Sequence, residues 1–134
     1  MADQIILTDA SIEVDDEAMP IMGNTIIFTE GLGTSTLIAA SQGGKIVMIP
    51  SEDISTKVSS IKFSVPCSGE MIDKTRDIKV AGFGRVIRLS GTDAAGRRLG
   101  RTFKGGLMTN DPEKAIQAEG AIPVEFNAAP AIVS

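Results

Sequence analysis

The sequence contains no histidine, tyrosine or tryptophan, and it has a single cysteine, Cys67. Histidine is the usual general base near neutral pH and the commonest metal ligand, so its absence excludes Ser-His and Cys-His nucleophiles and most zinc sites. One cysteine excludes an internal disulfide and suits a reducing compartment. We find no paired carboxylates in a cleft-like pattern. The sequence therefore predicts no catalytic, metal-binding or cofactor-binding residue, no cofactor, and a protein that is not an enzyme.

Long apolar runs are also missing. The longest are a few residues, against the roughly 20 that a membrane helix needs, so no membrane partner is expected. The first four residues have no basic start, which predicts no signal peptide. A chain of 134 residues, 43% apolar and 22% charged, has the composition of an ordinary globular protein. We therefore predict one domain over residues 1–134.

Charge is divided unevenly along the chain. Residues 1–55 carry nine acidic side chains and one basic, Lys45, a net of −8, whereas residues 56–134 carry eight acidic and twelve basic, a net of +4. Two interpretations stay open: the halves face each other across subunits, or polar strand faces simply differ in sign. The residues predicted to form charge-complementary assembly surfaces are Asp15, Asp16, Glu17, Arg97, Arg98 and Arg101.

Short apolar segments punctuated by glycine predict a mainly β protein. We expect an antiparallel β-sandwich or barrel of about eight strands with one α-helix packed on its side. Pro123 predicts an edge position or a strand start for the last segment. The predicted strands cover residues 11–14, 25–28, 36–40, 45–49, 58–65, 85–89, 99–104 and 122–126.

One segment, residues 69–81, has helical periodicity. Ser68 is a plausible N-cap and Gly82 a stop signal. The face predicted to pack consists of Met71, Ile78 and Ala81.

Residues 36–49 predict a β-hairpin with its turn at residues 41–44. Both of its strands are apolar on both faces, and an isolated two-stranded hairpin is marginal in water. We therefore predict an arm that projects from the domain and packs on a neighbouring subunit. The arm residues predicted to serve assembly are Ser41, Gln42, Gly43, Gly44, Ile46 and Met48.

Three motifs have simpler interpretations than the functions they suggest. Residues 31–33 begin a G-x-G pattern, but no helix follows, so a tight turn is favoured over a dinucleotide site. Residues 15–17 could hold a divalent cation, but no second ligand cluster accompanies them, so a solvated turn is favoured. Residues 97–104 are basic but lack the several aromatic side chains that stack on nucleic acid bases.

Five blocks, in order, resemble the tail tube subunit of contractile-tailed bacteriophages. No single block is specific, but their order and spacing extend over residues 5–133. One departure is the segment 117–120, which only partly matches the glycine- and aspartate-rich turn expected there. The blocks are Phe-Thr-Glu-Gly-Leu-Gly at 28–33, Ala-Ser-Gln-Gly-Gly at 40–44, Ser-Ile-Lys-Phe at 60–63, Leu-Met-Thr-Asn-Asp-Pro-Glu at 107–113, and Val-Glu-Phe at 124–126 with Pro-Ala at 130–131.

The resemblance implies a virion structural protein. Six subunits would form a ring whose sheets line an inner β-barrel, and rings would stack head to tail into a hollow conduit for DNA ejection. The implied partners are further copies of the chain, a tail sheath outside, a tape-measure protein and DNA transiently in the lumen, and an initiator or baseplate and a tail terminator at the ends. The implied location is the virion tail, after assembly in the host cytoplasm.

Two alternatives stay open. The first is the tube subunit of a related contractile injection device, such as a tailocin or a type VI secretion-like system. The second, from another class, is a monomeric β-barrel that binds a small ligand or an oligonucleotide. For a tube we also predict a lumen in which acidic side chains outnumber basic ones, with the arginines of residues 85–101 elsewhere or paired.

Overall fold

Antiparallel β-strands dominate the computed structural model, which describes residues 4–112 and 120–133. Within those residues there are ten strands and one α-helix, α1 (Gly69–Ala81), with short 3-10 turns at Met22–Asn24 and Ile54–Thr56. The predicted fold class is confirmed, with two more short strands, β2 and β10, than the sequence predicted. The strands are β1 (Ile5–Val14), β2 (Glu17–Met19), β3 (Ile26–Thr29), β4 (Thr34–Gln42), β5 (Lys45–Asp53), β6 (Ser59–Pro66), β7 (Arg85–Thr92), β8 (Arg98–Met108), β9 (Ala121–Ala128) and β10 (Ile132–Val133).

Six of these strands close into a barrel. Hydrogen bonding runs from β1 through β3, β6, β9, β8 and β7 and returns to β1. Strand β2 adds to β1 and β10 adds to β8, whereas β4 and β5 form a sheet of their own. Closure removes the free edges that an open sheet would offer to other chains.

Alternating apolar side chains fill the barrel. Strand β6 turns Ile61 and Phe63 inward, as the sequence predicted. The Phe63 ring stacks on Phe126 with centroids 6.2 Å apart. The rings of Phe28 and Phe103 meet edge to face at 5.8 Å. The barrel interior is therefore a packed core of aliphatic and phenylalanine side chains.

Helix α1 covers the predicted range. The Ser68 hydroxyl accepts a hydrogen bond from the Met71 N–H at 3.2 Å, which is the predicted N-cap. The predicted packing face is partly wrong, because Met71 and Thr75 are buried whereas Ala81 is exposed. Thr75 can be buried because its hydroxyl donates to the Met71 carbonyl at 2.9 Å, so its polar atom has a partner.

Strand β1 is longer than predicted. It begins at Ile5, and Leu7 is fully buried. Asp9 has a positive φ of 48°, and the register against β7 shifts at this position. The bulge breaks the period-two pattern, which is why the sequence indicated only the second half of the strand.

The loop after β8 uses a side chain where a strand would otherwise pair. The Asn110 amide nitrogen donates to the Pro123 carbonyl at 2.8 Å, and its amide oxygen accepts from the Glu125 N–H at 3.0 Å. Strand β9 pairs with β6 on one side, and on the other it pairs with β8 only near Asn127 and Phe126. Asn110 thus satisfies backbone groups that β8 does not reach, and Pro123 lies on that open side.

This contact gives part of the 107–113 block a structural explanation. The last residue of the block, Glu113, lies outside the described residues. So do Gln117, Ala118 and Glu119, in the segment that matches the family only partly.

Candidate assembly surface

The hairpin of β4 and β5, which we call the arm, is a sheet of its own, in which the two strands pair with each other and with no other described strand. Nine residue pairs run from Thr34–Asp53 at the base to Gln42–Lys45 at the tip. Gly43 and Gly44 form a two-residue turn with φ of 60° and 79°. Positive φ at both turn residues is the pattern of a type I′ turn, which explains why glycines lie there. No heavy atom lies within 4 Å of a Cβ built on either glycine, so only the backbone conformation requires them.

No residue of the arm is buried. Side chains of directly paired residues share a face, so the register defines two faces. Ile46 is 78% exposed and Met48 is 55% exposed on one face, and Ile49 is 47% exposed on the other. The Met48 face consists of Leu37, Ala39, Ser41, Ile46, Met48 and Pro50, and the Ile49 face consists of Ile38, Ala40, Val47 and Ile49.

The structure brings the predicted arm residues together at the outer half of the hairpin. Ser41 pairs with Ile46, and Met48 lies beside Ile46 on the same face. Leu37 and Ile38 are also more than half exposed, but they were not among the arm residues predicted to serve assembly. Their apolar character within a strand segment was the signal that could have identified them. Contact of this surface with a neighbouring subunit stays a prediction.

Polar contacts fix the base of the arm. The Thr56 hydroxyl accepts from the Thr34 N–H at 2.7 Å and donates to the Asp53 carbonyl at 2.6 Å. The Lys57 ammonium lies 3.1 Å from a Glu52 carboxylate oxygen. These contacts connect both strands of the arm to the turn that leads into β6.

Gly31 brings the chain before the arm close to β6. Its φ is +66°, and a Cβ built on it would lie 2.5 Å from both the Ser59 nitrogen and the Val58 carbonyl carbon. Next to it, the Glu30 carboxylate accepts from Arg101 Nε at 3.2 Å in a mostly buried pair. Residues 31–33 lie in the loop between β3 and β4 with positive φ at Gly31 and Gly33, and the tight turn favoured from the sequence stays a prediction. The 28–33 block marks a close approach of backbones.

The acidic residues predicted for subunit contacts pair within the chain. The Asp15 carboxylate accepts a hydrogen bond from the Val86 backbone N–H at 3.0 Å, which holds the turn after β1 against β7. Asp15 and Asp16 form that turn with positive φ, but Glu17 already begins β2, so the predicted solvated turn is wrong for Glu17. The intrachain ion pairs are Asp15–Arg85, Asp16–Arg88 at 3.2 Å and Glu17–Lys74 at 3.3 Å.

The basic residues predicted for subunit contacts lie in three different environments. Arg98 lies 3.9 Å from Asp9 on the surface, whereas Arg101 is mostly buried against Glu30. Arg97 lies in the turn between β7 and β8, where its backbone N–H donates to a carboxylate oxygen of Asp93 at 2.9 Å. The fold brings these opposite charges together in one subunit. Their meeting with charges of a second subunit stays a prediction.

Among the described residues, no group of three or more Cys, Asp or Glu side chains could hold a metal ion. A groove of about 430 Å³ between α1 and the turn after β1 is lined mainly by charged side chains, including Asp73, Lys74 and Asp77. In the part of the chain that the structure covers, no helix is long and apolar enough to cross a membrane.

Comparisons with solved structures find this fold in contractile injection systems. One similar chain belongs to an extracellular contractile injection system, the PVC sheath–tube complex in its extended state, with 17% identity and a TM-score of 0.56. Another belongs to the anti-feeding prophage cap, a tube-terminating cap, with 13% identity and a TM-score of 0.51. Each match covers 93% of this chain and 87% of the other.

Comparisons of the amino-acid sequence, in contrast, find no relative. No model of a protein family matches it, and a search of curated proteins finds no significant match. The structural likeness nevertheless confirms the fold that the resemblance to tail tube subunits implied. This chain has a fold found in proteins of contractile injection systems.

Proposed function

We propose that this chain is the tube subunit of a contractile tail, a structural protein without enzymatic activity. The observation that carries the proposal is the arm, whose two faces are apolar and whose residues are all unburied in the single chain. Large exposed apolar patches mark interaction sites. Because the barrel strands are closed on each other, the arm also offers longer free strand edges than β2 or β10.

In this proposal six subunits form a ring, and rings stack head to tail into a hollow conduit. The tail sheath surrounds the tube, a tape-measure protein and then DNA occupy the lumen, and an initiator or baseplate and a terminator bind the ends. A conduit must not hold a polyanion tightly, and affinity for DNA comes mainly from Lys and Arg contacts to phosphates. The ion pairs of Arg85, Arg88, Arg98 and Arg101 with carboxylates support a weak hold.

The tube could serve a phage tail or a related injection device. One similar chain belongs to an extracellular contractile injection system, which favours a device such as a tailocin or a type VI secretion-like system, whereas another belongs to the cap of an anti-feeding prophage. The two roles share the tube and differ in what passes through it. Particles isolated from producing cells distinguish them, because phage particles contain genome-length DNA in a capsid and injection devices do not.

The purified chain tests the proposal directly. Light scattering and negative-stain electron microscopy at increasing concentration should show rings and then tubes. A chain that stays monomeric at every concentration would contradict a tube function. A monomer that retains a small ligand or an oligonucleotide would instead support the monomeric barrel.

A further inference from the structure

Residues 129–133, which we call the strap, lie along one edge of β8. The Ala129 N–H donates to the Lys104 carbonyl at 2.9 Å. Strand β10, at the end of the strap, then pairs with Thr102 and Arg101 of β8. The strap therefore occupies a part of the β8 edge that β9 does not reach.

The strap also contacts the loop that leads into the arm. The Ala131 N–H donates to the Glu30 carbonyl at 2.9 Å. The carboxylate of the same glutamate accepts from Arg101 Nε, and Arg101 itself pairs with β10. Glu30 therefore contacts the strap through its backbone and β8 through its side chain. It directly precedes Gly31, where the backbone packs against the start of β6.

The two ends of the strap are held to different degrees. At its beginning, the fully buried Ser59 hydroxyl donates to the carbonyls of Ala128 and Ala129, at 3.1 and 2.9 Å. At its far end, Ile132 is 48% exposed and Val133 is 74% exposed. A segment with few buried apolar contacts opens locally at a low free energy. The strap is therefore anchored near residue 129 and weakly held beyond it.

We propose that the strap is a conformational device that decides how firmly the arm is held. The arm pairs with no other described strand, so its hold on the barrel depends on the segments at its base. In the closed form the strap bonds Glu30 at the entry to the arm, and in an opened form this contact is lost. Coupling between two sites is reciprocal, so loosening the base of the arm should also favour the opened strap. Both elements belong to one chain, so the coupling does not depend on the proposed tube function.

Ala131→Pro opens the strap in the full chain, because proline has no N–H to donate to Glu30. Ala131→Ser keeps the N–H and is the matched control. The readout is hydrogen–deuterium exchange by mass spectrometry, at a protein concentration low enough for a monomer. In the proline variant, residues 34–36 and 51–53 at the base of the arm should exchange roughly three- to tenfold faster, the effect of losing one hydrogen bond. The serine variant should exchange like the wild type, and β6 should be unchanged in both.

Thr56→Val tests the coupling from the other side. It removes the hydroxyl that accepts from the Thr34 N–H at the base of the arm, so the strap should exchange faster by a similar factor. If Ala131→Pro fails to fold, Ser59→Ala loosens the strap at its anchored end instead. Faster exchange that stays confined to the strap and its β8 partners when the strap is loosened, or an unchanged strap in Thr56→Val, would overturn the coupling.

Discussion

Gly31 provides a sharp test of how the arm is attached. We expect Gly31→Ala to destabilise the fold more than Gly43→Ala does, although both glycines have nearly the same φ, 66° and 60°. At Gly31 the new Cβ would lie 2.5 Å from backbone atoms of Val58 and Ser59. At Gly43 no heavy atom lies within 4 Å of it. Comparing the two variants therefore separates the cost of the close contact at Gly31 from the cost of the left-handed backbone conformation, which both positions share.

The magnitude follows from these two terms. Left-handed backbone costs a residue with a Cβ about 1–2 kcal/mol, and both variants share this term. Only Gly31→Ala must also displace backbone at the start of β6, and overpacking of this kind costs about 1–3 kcal/mol. At about 4 °C per kcal/mol for a chain of this size, the melting temperature of Gly31→Ala should lie about 4–12 °C below that of Gly43→Ala.

Thermal unfolding followed by circular dichroism at a low protein concentration measures the difference without a contribution from assembly. A second signal, such as calorimetry, checks that unfolding is two-state. If the two variants melt at the same temperature, the close approach at Gly31 does not constrain the fold, and the structural explanation of the 28–33 block is wrong.

Three further predictions concern the arm, the loop after β8 and the charged turn. The double variant Ile46→Asp with Met48→Asp should leave the fold intact but remove about 2–4 kcal/mol of apolar burial per arm. Sedimentation should therefore show that assembly needs a protein concentration at least roughly 30-fold higher than for the wild type. Tubes at the wild-type concentration would contradict a role of the arm in assembly. Asn110→Ala should lower the free energy of unfolding by about 1–3 kcal/mol in urea titrations, because it leaves the Pro123 carbonyl and the Glu125 N–H of β9 without partners. An unchanged midpoint of urea unfolding would contradict the role of Asn110 in stabilising β9. If exposed charges set the register between subunits, the fraction of protein that pellets as tubes should fall in 1 M NaCl, where the Debye length is about 3 Å. The double variant Asp16→Lys with Glu17→Lys should also assemble more slowly. If neither change affects assembly, apolar packing and β-pairing set the register.

Local patterns in the sequence predicted several elements well. The alternation of β6, the Ser68 cap and the Gly43–Gly44 turn each depend on residues close in sequence, so propensity and periodicity suffice. Strands β2 and β10 have three and two residues, too few for a periodic signal. They form because β1 and β8 offer them backbone partners.

The charged surfaces show the limit of sequence reasoning most clearly. Asp15 and Arg85 are 70 residues apart, and only the register of β1 against β7 makes them neighbours. Composition revealed the imbalance of charge between the two halves but could not show that much of it is neutralised inside one subunit. The role of Asn110 was missed for a similar reason, since it depends on how far β8 extends along β9.

The fixed base of the arm has a mechanical consequence. A nine-residue strand is about 30 Å long, so a rotation of about 5° at the base would move the tip by about 2.6 Å. The contacts of Thr34 and Lys57, together with the tight fit at Gly31, therefore set the angle of a long lever. A small change of angle at the base would become a large displacement of the tip. A stiff base would instead make the position of the tip follow the orientation of the barrel.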